Sequence, residues 1–150
     1  MIIRRTVPAD LAAIYKLEST VFSGDAWSEK DLSAAITSSG AMCFSALGDD
    51  GELYGYTIGR IIAPEGEIYK VAVLPERQGR GIAHRLLSYA LKTERGRGLE
   101  TVFLEVRSQN LAAIKLYRSL SFNEIGRRKN YYKNPTDDAI IMMMGGGNNL

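Results

Sequence analysis

A glycine-rich turn between an apolar strand and a helix carries the clearest chemical signal in the sequence. Val71, Ala72 and Val73 end a strand-like apolar segment, and a helical pattern begins at about Gly81. Glycine allows the backbone to approach a ligand without a Cβ in the way, and free N–H groups at a helix start bind phosphate. The segment is therefore a candidate phosphate-binding loop, whose members are Gln78, Gly79, Arg80, Gly81, Ile82, Ala83 and His84.

Three interpretations of this loop compete with an ordinary glycine turn. A Walker loop requires Lys and then Ser or Thr after the second glycine, and neither is present. A dinucleotide-binding fingerprint requires a third glycine where His84 stands, although Glu105 at the end of the next strand imitates its ribose-binding acid. The third interpretation is the pattern Gln-x-x-Gly-x-Ala, formed by Gln78, Gly81 and Ala83.

A carboxylate and a phenol follow the loop at positions suited to one groove. Glu105 lies near the end of the apolar segment 101–106, and Tyr117 lies about two helical turns beyond Asn110. Each residue also has an ordinary role: Glu105 as an exposed strand end, Asn110 as a helix N-cap, and Tyr117 in a core stripe. A phenol can bury its ring while its hydroxyl reaches a cleft, so the two interpretations of Tyr117 are compatible.

The elements that must position these residues follow a mixed pattern along the chain. The first half predicts strands at 1–6, 41–47, 53–62 and 67–73, with a helix after Pro8 and another from Ser28 to Ile36. The second half predicts helices at 81–95 and 111–120, a strand at 101–106, and extended segments at Tyr131 and 139–144. A strand–helix–strand order implies a parallel crossover, whereas the first half resembles hairpins. We expect a single α/β domain over residues 1–144, with a mixed, mostly antiparallel sheet and helices on both faces.

Composition narrows the classes of protein further. The 150 residues carry 19 basic and 17 acidic side chains, a net charge of +2, which does not favour direct nucleic-acid binding. One cysteine, Cys43, and one histidine provide too few ligands for a typical zinc site. No apolar run is long enough to cross a membrane and no signal peptide is recognisable, so we expect a cytoplasmic protein. Residues 145–150 are expected to be a disordered tail or a remnant of cloning.

The Gln78, Gly81 and Ala83 pattern resembles the pyrophosphate motif of the GNAT family of N-acetyltransferases. Four further segments agree in order and spacing with the RimI-type branch of that family. They are Ala-Trp-Ser-Glu at 26–29, Leu-Glu-Val-Arg at 104–107, Asn-Tyr-Tyr at 130–132 and Asp-Ala-Ile-Ile-Met at 138–142. The resemblance covers nearly the whole chain and implies a GNAT-like fold with a central parallel pair of strands.

The resemblance also implies an activity and its residues. RimI-type enzymes transfer acetyl from acetyl-CoA to the N-terminal alanine of a small-subunit ribosomal protein, without a metal. By analogy, Glu105 would be the general base, Tyr117 the general acid, and Asn110 a cofactor contact. The backbone of Val71, Ala72 and Val73 would bind the pantetheine arm. The aromatic residues Trp27, Tyr131 and Tyr132 would line the peptide groove, although Trp27 suits a core position equally well.

Two departures from the family pattern bear on specificity and local geometry. Ser121 replaces the glycine of the family's Leu-Gly-Phe, at a position that often needs a left-handed backbone. The segment between Tyr132 and Asp138 is short, so the loop on the substrate side is expected to differ in shape. Two other functions stay open at this point: acetylation of lysine side chains or small amines, and a CoA- or nucleotide-binding module without turnover.

Overall fold

The structure, a computed structural model, describes residues 1–145, and one sheet runs through them. Its strands are β1 (Ile2–Arg5), β2 (Phe44–Leu47), β3 (Leu53–Ile62), β4 (Glu65–Val73), β5 (Thr101–Arg107), β6 (Asn123–Tyr132) and β7 (Asp137–Gly145). Their order across the sheet is β1-β2-β3-β4-β5-β7-β6. All neighbours are antiparallel except the central pair β4 and β5, which is parallel. The predicted mixed sheet with a central parallel pair is confirmed.

Four α-helices within the described residues cover both faces of the sheet, as predicted. They are α1 (Leu11–Val21), α2 (Glu29–Thr37), α3 (Ile82–Arg95) and α4 (Leu111–Ser119). On one face, Ile14 of α1 and Leu32 of α2 pack in a buried cluster with Tyr56 of β3. On the other face, a larger cluster joins α3 and Tyr117 of α4 to residues such as Phe44 of β2. None of these helices is long and apolar enough to span a membrane.

Local sequence explains where the helices begin and end. The Ser28 hydroxyl accepts a hydrogen bond from the Asp31 N–H at 3.1 Å, which fixes the start of α2 at the predicted cap. The Asn110 side chain accepts one from the Ala113 N–H at 3.2 Å and caps α4. After α4, Ser121 has φ of 72°, the left-handed conformation that the family's glycine would adopt without strain. The departure at Ser121 therefore keeps the expected backbone.

Several strand boundaries differ from the prediction. The strand expected at 41–47 begins only at Phe44, because Ala41 forms a single isolated bridge with Arg60. The extended segment expected at Tyr131 is the end of a ten-residue strand, β6, whose charged and irregular middle hides its alternation. Strand β7 includes Gly145, one residue past the expected domain boundary. The tail prediction for residues 146–150 lies outside the described residues.

The parallel strands β4 and β5 pair over only part of their length. Their register joins Glu65–Ile68 to Thr101–Leu104, and beyond it neither strand bonds to the other. At the same point, Tyr69 is an extra residue in the pairing of β4 with β3, since Ile58 pairs with Lys70 but Gly59 with Ile68. Such a bulge bends its strand. The two strands therefore diverge from Tyr69 onward and leave an opening in the centre of the sheet.

Candidate active site

Two clefts occupy the opening between β4 and β5. The first, here the loop cleft, has a volume of about 620 Å³ and is lined by the glycine-rich loop, the end of β4 and the start of α4. The second, the aromatic cleft, has a volume of about 470 Å³ and is lined by Trp27, Tyr69, Tyr131 and Tyr132 among others. Four residues line both clefts: Phe22, Val71, Asn110 and Ala113. A ligand that runs along the loop cleft can therefore reach a second ligand in the aromatic cleft.

The glycine-rich loop has the backbone geometry of an anion-binding turn. Gly79 and Gly81 have φ of 78° and 77°, which side-chain-bearing residues rarely adopt, and no atom lies within 4 Å of a Cβ built at either. Gly81 immediately precedes α3, so the first N–H groups of this helix point toward the loop cleft without intrahelical partners. The Gln78 amide donates to the Val73 carbonyl at 3.2 Å and holds the loop against the end of β4.

The loop residues contribute in different ways. Gln78, Gly79, Gly81, Ala83 and His84 line the loop cleft, and His84 is exposed at the first turn of α3. The side chain of Ile82 is buried in the core, so only its backbone remains for a ligand. Arg80 is exposed and is not among the residues that line the cleft, whereas Arg77 lines it and stacks on the Tyr54 ring at 4.0 Å.

The edge of β4 that faces β5 is open beyond Ile68. Val71 is half-buried and lies at the junction of the clefts, while the side chains of Ala72 and Val73 are buried. These three residues pair with β3 on the other edge of the strand. Alternate residues of a strand direct their backbone groups to opposite edges, and the Val73 carbonyl already accepts the Gln78 amide. The remaining outward-facing backbone groups are available to an extended ligand, in the manner of an added strand.

Glu105 faces the aromatic cleft from the diverging part of β5. Its Oε2 lies 3.5 Å from Arg128 Nε of β6. The same oxygen is buried and accepts no hydrogen bond from residues 1–145. A buried carboxylate oxygen without a donor is costly in a folded protein unless a ligand supplies one. The position is thus suited to accept a proton or a hydrogen bond from a bound molecule.

Tyr117 reaches the same cleft from α4. Its ring is buried and packs edge-on against Phe122 at 5.8 Å, which satisfies the core interpretation made from the sequence. Burial, together with the nearby Tyr132, raises the pKa of the Tyr117 hydroxyl above its usual value. The phenol therefore remains protonated over the physiological range.

A second carboxylate, Glu67 of β4, also lines the aromatic cleft. Burial and the nearby charge of Glu105 raise the pKa of Glu67, and the Arg128 charge opposes them. Burial and Glu105 likewise raise the pKa of Tyr132 to about 12. Glu67 and Glu105 thus place two carboxyl groups among the aromatic residues of the cleft, which Lys70 and Arg107 also line. The carboxyl oxygens can accept hydrogen bonds from a bound ligand. Sequence patterning did not identify Glu67.

The three predicted aromatic residues lie together in this cleft. Tyr131 is exposed and meets the half-buried Tyr132 edge to face at 5.1 Å. Trp27 is half-buried and packs against Tyr69 at 5.7 Å, so it both lines the cleft and adjoins the core. Two aromatic pairs therefore form opposite walls of one groove, from the α1–α2 segment and from β6.

A buried polar cluster beneath the groove was missed by sequence reasoning. Glu18 of α1 is fully buried and accepts hydrogen bonds from the Trp27 N–H, at 2.8 Å, and from the Tyr56 hydroxyl. It also pairs with Lys70 Nζ at 3.2 Å. This cluster fixes the loop that carries Trp27. The only signal of this cluster in the sequence was one charged residue on each of two otherwise apolar faces, Glu18 on α1 and Lys70 on β4.

Cys43 lies outside both clefts. Cys43 is buried against α2 and β3, and burial raises the pKa of its thiol, which makes it a poor nucleophile. Among residues 1–145, no group of three or more His, Cys, Asp or Glu side chains is placed to hold a metal ion.

In sequence, the chain is similar to known acetyltransferases. The model of the acetyltransferase (GNAT) family matches residues 11–122. The [ribosomal protein bS18]-alanine N-acetyltransferase of Escherichia coli K12 is 36% identical over 130 residues, covering 87% of this chain and 84% of that protein. The N-alpha-acetyltransferase RimI of Mycobacterium tuberculosis is 37% identical over 136 residues, covering 87% and 84%.

Solved structures agree with these matches. The crystal structure of the ribosomal-protein-S18-alanine N-acetyltransferase from Escherichia coli superposes with a TM-score of 0.89 at 33% identity, covering 99% of this chain and 97% of that one. The NatC complex bound to Gag peptide and CoA superposes with a TM-score of 0.86 at 19% identity, covering 97% and 98%. The second match shows the fold alone.

Proposed function

The chain belongs to the GNAT family of acetyltransferases, and we propose that it transfers acetyl from acetyl-CoA to the N-terminal α-amine of a protein. The observation that carries the proposal is that two clefts adjoin each other and that one of them contains both a carboxylate and a phenol, which would transfer the protons. The loop cleft has the backbone of a pyrophosphate site, and the aromatic cleft has the walls of a peptide groove. Glu105 and Tyr117 both line the aromatic cleft, and Val71 and Asn110 connect it to the other.

Acetyl-CoA would lie along the loop cleft. The backbone from Gln78 to His84 would hold its pyrophosphate, since positive-φ glycines and the start of α3 present N–H groups there. The open edge of Val71, Ala72 and Val73 would bond to the pantetheine arm. A backbone N–H of that edge would polarise the thioester carbonyl, an effect commonly worth about 2.7–4 kcal/mol. Asn110 would contact the arm where the clefts meet, while continuing to cap α4.

Glu105 would act as the general base. An α-amine has a pKa of about 7.7–8.0 and a lysine side chain about 10.4, so the α-amine is partly neutral near neutral pH. One carboxylate with a free, buried oxygen is then sufficient to remove its proton, directly or through water. The amine nitrogen forms the new bond to the acetyl carbon as the carbon–sulfur bond breaks.

Tyr117 would act as the general acid at the departing sulfur. Its raised pKa keeps the hydroxyl protonated until the thiolate forms, and its buried ring fixes the direction of the hydroxyl. The thiolate takes the phenolic proton, the second proton that the nitrogen loses returns to Tyr117 through water, and the proton held by Glu105 is released to solvent. Each turnover therefore yields an N-acetylated amine, free CoA and one proton.

The acceptor that we propose is the N-terminal alanine of a small-subunit ribosomal protein. Relatives named for that activity cover most of the chain at 36% identity. The groove between Trp27, Tyr131 and Tyr132 suits the first residues of a peptide, and the negative charges of Glu67 and Glu105 suit its amino terminus. An open groove of this shape is less suited to a lysine at the end of its long stem.

A peptide panel with acetyl-CoA and mass spectrometry tests this proposal. It contains an alanine-starting peptide matching the ribosomal protein's N-terminus, and the same peptide N-terminally blocked but carrying a free lysine. We expect acetylation of the free α-amine only. Equal rates on both peptides would assign a side-chain acetyltransferase, and binding of CoA without acetylation of any amine would assign a binding module.

A further inference from the structure

Arg107 joins the segment that carries the cleft residues Asp25 and Trp27 to the turn that directly follows the cleft residues Tyr131 and Tyr132. Its Nη2 lies 2.9 Å and its Nε 3.3 Å from Asp25 Oδ2, in the segment between α1 and α2. Its Nη1 donates to the Pro135 carbonyl at 2.9 Å and its Nη2 to the Lys133 carbonyl at 3.1 Å, both in the β6–β7 turn. The guanidinium also stacks 4.4 Å from the centre of the Tyr132 ring. One side chain at the end of β5 thus contacts the α1–α2 segment, the end of β6 and the β6–β7 turn.

Asp25 is tethered a second time, through its backbone. Lys70 Nζ donates to the Asp25 carbonyl at 2.8 Å and pairs with buried Glu18 at 3.2 Å. The same ammonium lies 4.1 Å from the centre of the Phe22 ring. The segment that ends in Trp27 is therefore fixed at its base by Lys70 and drawn across the cleft by Arg107.

The bridge has little connection to the hydrophobic core. Arg107 and Asp25 line the aromatic cleft, with side chains 20% and 50% exposed, and neither belongs to a buried cluster. A partly exposed ion pair of this kind contributes little to global stability. Its several directed bonds instead restrict the relative position of two loops, which otherwise connect to different strands and helices.

We propose that Arg107 is a positioning residue that sets the width of the acceptor groove by holding Asp25 and the β6–β7 turn together. The inference rests on the proposed function, because the groove is assigned there to the acceptor peptide. Loss of the bridge leaves both walls free to move, so the acceptor must order them on binding. Its apparent affinity then falls, while the loop cleft and the groups that transfer protons remain in place.

Kinetics of Arg107→Gln, Arg107→Lys and Asp25→Asn test the inference with the acceptor that the wild-type protein acetylates best. We expect Arg107→Gln to raise the acceptor KM roughly 5- to 10-fold, with kcat within about 2-fold and an unchanged acetyl-CoA Kd. Arg107→Lys keeps the charge but not the forked geometry, so its KM should lie between those of the wild type and Arg107→Gln. The double variant, with both Arg107→Gln and Asp25→Asn, should raise KM over the wild type by a smaller factor than the product of the two single-variant factors, because both substitutions break the same bridge.

Arg127→Gln is the matched control, since Arg127 pairs with Glu124 at 3.1 Å on β6 outside both clefts, and it should leave KM unchanged. Hydrogen exchange supplies a readout that needs no acceptor: amides of residues 22–27 and 133–136 should exchange faster in Arg107→Gln, and those of β3 should not. Unchanged exchange in both segments overturns the bridge. Faster exchange with an unchanged KM, or a fall in kcat alone, overturns its role in acceptor binding. A wild-type protein that prefers lysine would refute the proposed acceptor without affecting either result.

Discussion

Glu105 Oε2 lies 3.5 Å from Arg128 Nε, yet this buried oxygen accepts no hydrogen bond from any described residue. The two groups attract each other without the guanidinium occupying the oxygen in a directed bond. Arg128 therefore offsets the repulsion between Glu105 and Glu67. A carboxylate that is electrostatically supported but not hydrogen-bonded is well suited to receive a proton from a substrate.

Replacing this carboxylate with an amide tests it as the base. Glu105→Gln keeps the shape and removes the basicity, so kcat should fall about 10²- to 10⁴-fold with an unchanged acetyl-CoA Kd. The deficit should shrink as the pH rises above the α-amine pKa of about 7.7–8.0, because the amine then loses its proton without help. Rates measured from pH 6 to 10, with the exposed Glu100→Gln as control, decide the matter. A wild-type rate in Glu105→Gln near neutral pH would exclude the role.

The glycine-rich loop has an internal control elsewhere in the chain. Gly81 and Gly51 have φ of 77° and 83°, and neither has an atom within 4 Å of a built Cβ. Gly81→Val and Gly51→Val therefore carry similar backbone strain, but only the former places a branched side chain where the pyrophosphate would lie. We expect calorimetry to show acetyl-CoA affinity reduced sharply in Gly81→Val and unchanged in Gly51→Val. Equal affinities in two folded variants would refute the pyrophosphate assignment.

Asp10 provides a pH-dependent contribution to stability that is separate from the site. Burial opposes its ionisation, but the bidentate bonds from Arg4 at 2.8 and 3.0 Å, with the Val7 N–H, give a net lowering of its pKa. A lowered pKa stabilises the fold above the unfolded value of about 3.9, and the effect disappears as the pH falls through the folded value. Asp10→Asn should therefore lower the free energy of unfolding by about 1–3 kcal/mol at pH 7.

Denaturant titrations between pH 7 and pH 2 measure the difference between Asp10→Asn and the wild type. It should narrow as the pH falls below the unfolded pKa of about 3.9 and disappear below the lowered folded pKa, where both proteins carry a neutral group at this position. Asp49 is fully exposed and pairs with the N-terminus at 3.6 Å, so Asp49→Asn is the control. It should have little effect on the free energy of unfolding at any pH. A difference that stays constant down to pH 2 would show that shape, and not charge, is responsible.

The parts of the site predictable from sequence are those encoded over short distances. The loop from Gln78 to His84 is read from glycine spacing next to a helix start, and Asn110 and Tyr117 from one helical period. Glu105 is read from its place at the end of an apolar run. In each case, neighbouring residues alone determine the conformation, so a pattern of about ten residues is sufficient.

The parts that could not be predicted depend on contacts between distant segments. Arg107 bonds to Asp25 over 82 residues of sequence, and Lys70 to the Asp25 carbonyl over 45. The divergence of β4 and β5 follows from a bulge at Tyr69 and from a register that stops at Ile68, neither of which has a local signature. Glu67 became visible as a cleft residue only once the register had placed it beside Glu105.

One substitution separates the chemical role of Tyr117 from its packing role. Tyr117→Phe keeps the buried ring against Phe122 and removes only the hydroxyl, so the melting temperature should change little. If the hydroxyl protonates the departing sulfur, kcat should fall about 10²-fold or more while acetyl-CoA Kd and acceptor KM stay close to wild type. Tyr89 is the matched control, because its ring meets Phe44 edge-on at the same 5.8 Å but lies outside both clefts.

Stopped-flow detection of free thiol, with acetyl-CoA and an activated thioester of lower thiol pKa, gives a further test of Tyr117. A better leaving group needs less protonation, so the defect of Tyr117→Phe should shrink with the activated thioester. A defect of equal size with both thioesters would mean that Tyr117 orients the substrate and does not donate the proton.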